Sequence, residues 1–148
     1  RSQDDPAIPT KLTPNEQYSY MSMWCLMAAP LFFSGDMALL DDFTLGILCS
    51  PEVIEIDQDP LGKQARPLAQ DDLTLILAKP LADGSLAVGL FNMAETPQEM
   101  AMDWSLLGVK GKQAIRDLWR QKDLGVFTDR FATTVPRHGV ALLRLRVQ

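Results

Sequence analysis

Carboxylates at close spacing are the first residues in this chain that could do chemistry. Glu55, Asp57 and Asp59 occupy alternate positions in Glu55-Ile56-Asp57-Gln58-Asp59-Pro60-Leu61-Gly62. Two carboxyls held side by side can divide the roles of nucleophile and proton donor, because each alters the other's proton affinity. This run, however, ends in Pro-Leu-Gly, and Asp side chains ahead of such a turn bond to backbone N–H groups. An interdomain turn is therefore the preferred reading. Ser34, Gly35 and Asp36 stand where the short apolar run Pro30-Leu31-Phe32-Phe33 stops. If that run is a barrel strand, these three residues lie at the end where such barrels place their chemistry. They are the candidate substrate-binding residues, as contacts on the rim of a pocket, with a helix-capping turn as the weightier alternative.

The remaining chemistry-bearing residues are few. His138 falls in Pro136-Arg137-His138-Gly139, a turn ahead of a strand, and reads as a structural or exposed turn histidine before a general base. Cys25 and Cys49 could form one bridge, but each lies in an apolar helical pattern, and buried free thiols are the preferred reading. One His and two Cys give no metal-ligand cluster. Nothing resembles a phosphate-binding Gly loop or a Ser/His/Asp set. No catalytic residue, metal ligand or cofactor site is assigned. Trp24, Trp104 and Trp119 have faces on which a ring could stack, but core packing is the stronger reading for each.

Elements must position these groups. Residues 1 to 12, with Pro6 and Pro9, read as an extended loop. Thr13-Pro14-Asn15-Glu16 starts a helix: the Thr hydroxyl and the Glu carboxylate can cap each other's backbone, and proline suits the first helical position. Met21, Trp24, Cys25, Met27 and Ala28 follow helical spacing, and Pro30 ends the helix. Residues 30–33 read as a strand buried on both faces. Asp41-Asp42 caps a second helix running through Cys49, and Ser50-Pro51-Glu52 repeats the signal. Helix, buried strand and helix is the rhythm of an α/β barrel.

Beyond Gly62 the rhythm changes to short strands: 73–79, 86–93, 100–104, 113–119, 131–135 and 140–147, with a turn at Ala82-Asp83-Gly84-Ser85. The fold class is thus α/β followed by all-β: the last units of a (β/α)8 barrel, residues 1–65, then an antiparallel β-sandwich, residues 66–148. In Ile115-Arg116-Asp117-Leu118-Trp119-Arg120, strand alternation would set Ile115, Asp117 and Trp119 on one face. Trp119 is expected in the sandwich core, with Asp117 accepting a hydrogen bond from a nearby turn. Only the sandwich is expected to resist proteolysis by itself.

The chain has 148 residues, a net charge of −5 and 47% hydrophobic residues. The acidic balance and scattered basic residues argue against a nucleic-acid partner. No apolar run reaches the ~20 residues needed to cross a bilayer as a helix. The polar start without Met or an apolar signal region reads as a chain cut from something longer.

Three stretches carry a resemblance: Leu12-Thr13-Pro14-Asn15-Glu16-Gln17-Tyr18 leading into Met23-Trp24-Cys25-Leu26-Met27-Ala28-Ala29-Pro30-Leu31; residues 52–64, from Glu52-Val53-Ile54 to Gly62-Lys63-Gln64; and Asp117-Leu118-Trp119 with His138-Gly139-Val140. From residue 11 to 148 the chain resembles glycoside hydrolase family 27, the α-galactosidases and α-N-acetylgalactosaminidases. The resemblance implies a (β/α)8 barrel followed by a β-sandwich. It also implies a retaining double displacement by two aspartates about 5 Å apart, both on barrel strands upstream of this chain. The family's Asp-Pro-Asp motif is missing, and Asp4-Asp5-Pro6-Ala7 does not replace it. The implied partners are a galactoside-type carbohydrate, bound through the complete enzyme, and the upstream half of the same barrel. The implied location is secreted or periplasmic. The alternative is a non-catalytic sandwich that binds carbohydrate or shields the barrel.

Overall fold

The computed structural model describes residues 9–148; the Asp4-Asp5-Pro6-Ala7 reading and most of the expected N-terminal loop lie outside them. Helix α1 (Pro14–Leu26) begins with a complete capping box: the Thr13 hydroxyl accepts from the Glu16 N–H at 3.3 Å, and the Glu16 carboxylate accepts from the Thr13 N–H at 2.8 Å. A 3-10 turn (Met37–Leu39), helix α2 (Asp42–Leu48) and helix α3 (Pro51–Asp57) follow. Asp41 caps α2 by accepting from the Thr44 N–H at 2.7 Å. Ser50 makes no side-chain cap on α3, although Pro51 sits in its first turn.

Strands then follow: β1 (Arg66–Gln70), β2 (Thr74–Pro80), β3 (Leu86–Asn92), β4 (Gln98–Asp103), the short helix α4 (Trp104–Leu107), β5 (Lys112–Asp117), β6 (Lys122–Thr128), β7 (Arg130–Val135) and β8 (Val140–Val147). Every pairing is antiparallel. Six strands form one sheet in the order β1-β2-β3-β8-β5-β6, and β4 and β7 form a second. Strands β1 and β6 and helix α4 were not expected. Both of these strands lie at sheet edges, and their mostly exposed residues give little apolar alternation to read.

The large sheet is buried on both faces, and strand alternation sorts its side chains. Ile76, Ala78, Val88, Leu90, Ile115, Leu143 and Leu145 share a core with Met100, Met102, Phe131 and Val135 of the small sheet. Leu77, Ala87, Phe91 and Leu142 point the other way and share a core with Met21, Cys25 and Leu26 of α1, Ile47 of α2, and Val53 and Ile56 of α3. Gly89 allows this close seating, since a Cβ there would fall 2.6 Å from Leu26 Cδ1. The helices are therefore one lid of the sheet. The expectation that the sandwich resists proteolysis by itself loses its basis, because removing α1–α3 would bare Leu77, Phe91 and Leu142.

Three further expectations are corrected. Residues 30–33 form no strand, and Phe32 is 88% exposed; a parallel strand needs neighbours to pair with, and residues 9–65 contribute none. Cys25 is buried, but Cys49 is exposed at the C-terminal end of α2. Strand β5 stops at Asp117, so the alternation drawn through Trp119 does not continue. Asp117 accepts from the Arg120 N–H at 3.0 Å, the turn bond anticipated for it. Trp119 packs on the helical side, not between the sheets: its Nε1–H donates to the Ser22 hydroxyl at 2.8 Å, and its ring meets Tyr18 edge-on at 4.8 Å.

Charge ties the two layers together. Arg116 and Arg144 lie directly opposite each other on β5 and β8, a repulsive arrangement unless each has its own counter-charge. Helix α3 supplies both, from positions one turn apart. Glu52 takes Arg116 in two hydrogen bonds, at 2.6 and 2.7 Å, and Glu55 takes Arg144 at 3.0 Å. Arg144 is buried, and donates also to the Ser85 hydroxyl and to Asp83, each at 2.9 Å. The Ser85 hydroxyl and N–H, followed by Arg144, hold the Asp83 carboxyl down at about 2. Arg116 likewise lowers the Glu52 carboxyl.

Replacing Trp119 with Ala is expected to cost about 2–4 kcal/mol, below a fully buried Trp because the ring is only half-buried, but including the lost indole bond. Urea denaturation measures it, and a curve overlaying the parent would refute the packing role. Asp83 stabilises the fold while ionised, so its contribution is present above the ordinary Asp value of about 3.8 and disappears as pH falls toward about 2. The difference in midpoint between parent and Asp83→Asn should therefore hold steady above about pH 5 and shrink on acidification.

Candidate functional site

The loop from Met27 to Asp41 connects α1 to α2. Ala28 takes a left-handed turn at φ 49°, and the Trp24 indole donates to the Pro30 carbonyl at 3.0 Å. The chain then runs without a partner through Phe32 and Phe33, both exposed. Tyr20 and Trp24, one helical turn apart, pack with ring centroids 5.2 Å apart and planes tilted by 45°. With Leu31, Phe32, Phe33 and Met37 they line an open, mainly apolar groove of about 580 Å³. Trp24 thus departs from the core reading, whereas Trp104 keeps it: Trp104 is buried, with its indole donating to the Gly111 carbonyl at 2.8 Å.

The candidate residues Ser34, Gly35 and Asp36 are all exposed in this loop. Asp36 Oδ1 accepts from the Ala38 N–H at 2.9 Å and caps the 3-10 turn. A Cβ on Gly35 would lie 3.0 Å from the Phe33 ring, so this residue folds back on the aromatic edge of the groove.

The acidic trio is dispersed by its partners. Glu55 pairs with Arg144. Asp59 accepts from the Leu61 N–H and from the Ala82 N–H of the β2–β3 turn, each at 3.0 Å, the backbone-bonded turn that its context implied. Asp57 is buried; its Oδ2 accepts from Gln58 at 2.5 Å, while Oδ1 has no hydrogen-bond partner. Nearby, Lys79 is wholly buried on the helical face of the sheet, and its Nζ is also without a hydrogen bond. Burial lowers the Lys79 ammonium, with Asp57 and Asp59 opposing the shift. Burial, helped by the negative charge of Asp57, raises the Cys25 thiol to about 12, so this cysteine is no nucleophile. Among the described residues no cluster of His, Cys, Asp and Glu could hold a metal ion.

His138 gathers a second cluster that the turn reading missed. It stands between Glu16 and Glu95, with Arg137 pairing Glu95 beside it. No local sequence signal joins these residues, since the chain brings them together from α1, the β3–β4 connection and the β7–β8 turn.

Comparison with known proteins gives the chain its family. Residues 71–145 match the family described as the alpha galactosidase C-terminal beta sandwich domain. A probable alpha-galactosidase of Dictyostelium discoideum is 38% identical over 90% of this chain, which covers 36% of that protein. Alpha-galactosidase I from Mortierella vinacea superposes with a TM-score of 0.88 at 26% identity, over 93% of this chain and 36% of that one. A β-L-arabinopyranosidase of glycoside hydrolase family 27 from Geobacillus stearothermophilus, in complex with arabinose, superposes with a TM-score of 0.90 at 26% identity, over 99% and 33%. The chain thus spans about a third of the length of these relatives. With the sandwich strands in place and α1–α3 aligned to barrel enzymes, this chain belongs to glycoside hydrolase family 27, as a C-terminal portion of the α-galactosidase type.

Proposed function

We propose that this chain is the C-terminal part of a retaining glycoside hydrolase that cleaves terminal α-galactosides. In this reading residues 1–65 contribute the last units of a (β/α)8 barrel, and residues 66–148 form the sandwich on which those units rest. The two aspartates of the double displacement lie in upstream barrel strands, and this chain supplies no catalytic residue. Ser34, Gly35 and Asp36 sit on the rim of the sugar pocket once the barrel is closed.

The observation that supports the reading best is the position of the exposed aromatics. Tyr20, Trp24, Phe32 and Phe33 crowd the outer side of the helical segment, and an apolar surface of that kind is ordinarily covered. The upstream strands of the barrel are its natural cover. The sandwich offers no comparable platform: each aromatic side chain between residues 66 and 148 is buried or half-buried. A carbohydrate-binding module would display such rings, so the sandwich supports the barrel and does not itself collect sugar.

Two outcomes are expected. The chain alone will not hydrolyse a nitrophenyl α-galactoside, because neither a nucleophile nor a proton donor is in place; activity should appear when a polypeptide supplying the rest of the barrel is added. Turnover by a chain of verified mass with no such addition would disprove the assignment. Phe32→Ser should shift the stability of the chain alone by less than about 0.5 kcal/mol, as an exposed site does, yet weaken association with the upstream part. Equal association by parent and variant, measured by titration calorimetry, would remove residues 30–33 from the barrel.

A further inference from the structure

On the helical face of β8 the side chains come in the order Leu142, Arg144, Arg146, and each belongs to a row that crosses the sheet. Leu142 stands opposite Gly89, the residue against which Leu26 of α1 is seated. Arg144 stands opposite Arg116, and α3 holds both through Glu55 and Glu52. Arg146 stands opposite Ala114, and Ala114 opposite Val126 of the edge strand β6. The first row therefore lies under α1 and the second under α3. The third is open: Val126 is 50% exposed and the Arg146 side chain 57%.

This third row floors a trough of about 690 Å³, with Glu52 and Glu55 of α3 along its wall. Its chemistry narrows the occupant. Among the described residues no aromatic ring lines it, so it lacks the platform on which a sugar would stack. Its carboxylates are engaged, Glu52 and Asp123 by Arg116, and Glu55 by Arg144. Ala114 and Val126 leave a small, apolar floor that another element can approach closely. Arg146 reaches Asp83 at 3.5 Å, and that carboxylate already accepts from Ser85 and Arg144. Arg146 can therefore take a further carboxylate from across the trough.

Ring order selects the element. The helices of a (β/α)8 barrel form a closed outer ring in chain order, so the last helix has the first as its neighbour. Helix α3 has α1 packed against it, and its Glu52 and Glu55 border the trough. This chain covers 36% of the Dictyostelium relative, so in the barrel reading the first helix belongs to the upstream part.

We propose that the trough seats the first helix of the barrel, which lies beside α3, sets small or apolar side chains on Ala114 and Val126, and offers a carboxylate to Arg146. The proposal rests on the barrel reading given above. It makes the large sheet a clasp, bearing on the last helices of the ring and on the first.

The test takes as partner the upstream stretch of the Dictyostelium relative that this chain leaves uncovered. With Val126→p-benzoylphenylalanine, photolysis of the complex should give a cross-link to the first barrel helix, mapped by mass spectrometry. A cross-link to another barrel helix or to a second copy of this chain overturns the proposal, as does none at all in a complex that forms. Val126→Lys, which would bury an unpaired cation beneath the helix, should weaken association by about tenfold or more in titration calorimetry. Its urea midpoint without the partner should match the parent's. Parent-like association by Val126→Lys, where Phe32→Ser still weakens it, removes the helix from the trough and leaves the barrel reading intact. Failure of the parent itself to associate ends both.

Discussion

The large sheet carries apolar side chains on both faces, and neither face can be left to water. Alternation along β2, β3 and β8 sends one set of residues toward β4 and β7 and the other toward α1, α2 and α3. Each cover follows from that demand. Helix α1 can lie flat against the strands because Gly89 presents no side chain beneath Leu26, and the small sheet closes the opposite side with Met100, Met102 and Phe131.

Burying both faces makes the polar residues on the helical side costly, and the structure treats them in two ways. Arg144 is given a hydrogen bond on each of its three guanidinium nitrogens by Ser85, Glu55 and Asp83, so its burial becomes a tie between α3, the β2–β3 turn and the sheet. Lys79 is not: it sits with Asp57 in the same interface, each with an atom lacking a hydrogen bond. The first arrangement fixes the angle of the helix, since two carboxylates one turn apart on α3 must meet two arginines facing each other across β5 and β8. The second leaves a polar seam inside an apolar layer, where the Cys25 thiol is kept protonated.

Much of the fold was legible wherever the governing physics is local. The capping box at Thr13 and Glu16, the Asp41 cap and the turn around Gly84 are written in neighbouring residues, and those elements appear where they were read. The central strands also announced themselves, as apolar runs. What failed depends on distant partners. Pro30–Phe33 has the composition of a buried strand but no ladder to join; the edge strands β1 and β6 carry too little apolar pattern; and Trp119 was placed by extending an alternation past the end of β5. Ser34, Gly35 and Asp36 were singled out by their place after the run at 30–33 alone, since they have no distinguishing local chemistry. The His138 cluster is assembled from three separate parts of the chain and has no local signature at all.

Strand β8 lies between β3 and β5 although it comes last in sequence order. The hairpin of β2 and β3 and that of β5 and β6 can each zip from a nearby turn, but nothing joins them until β8 arrives to pair with both. Bringing Val140 to Phe91 closes a long loop before any of its contacts are gained, and non-local pairing of this kind slows folding. Until that step the inner edges of both hairpins remain open templates for other chains. The most dangerous interval for this protein is therefore the one before β8 pairs, when the two hairpins exist and the strand that unites them is not yet in place.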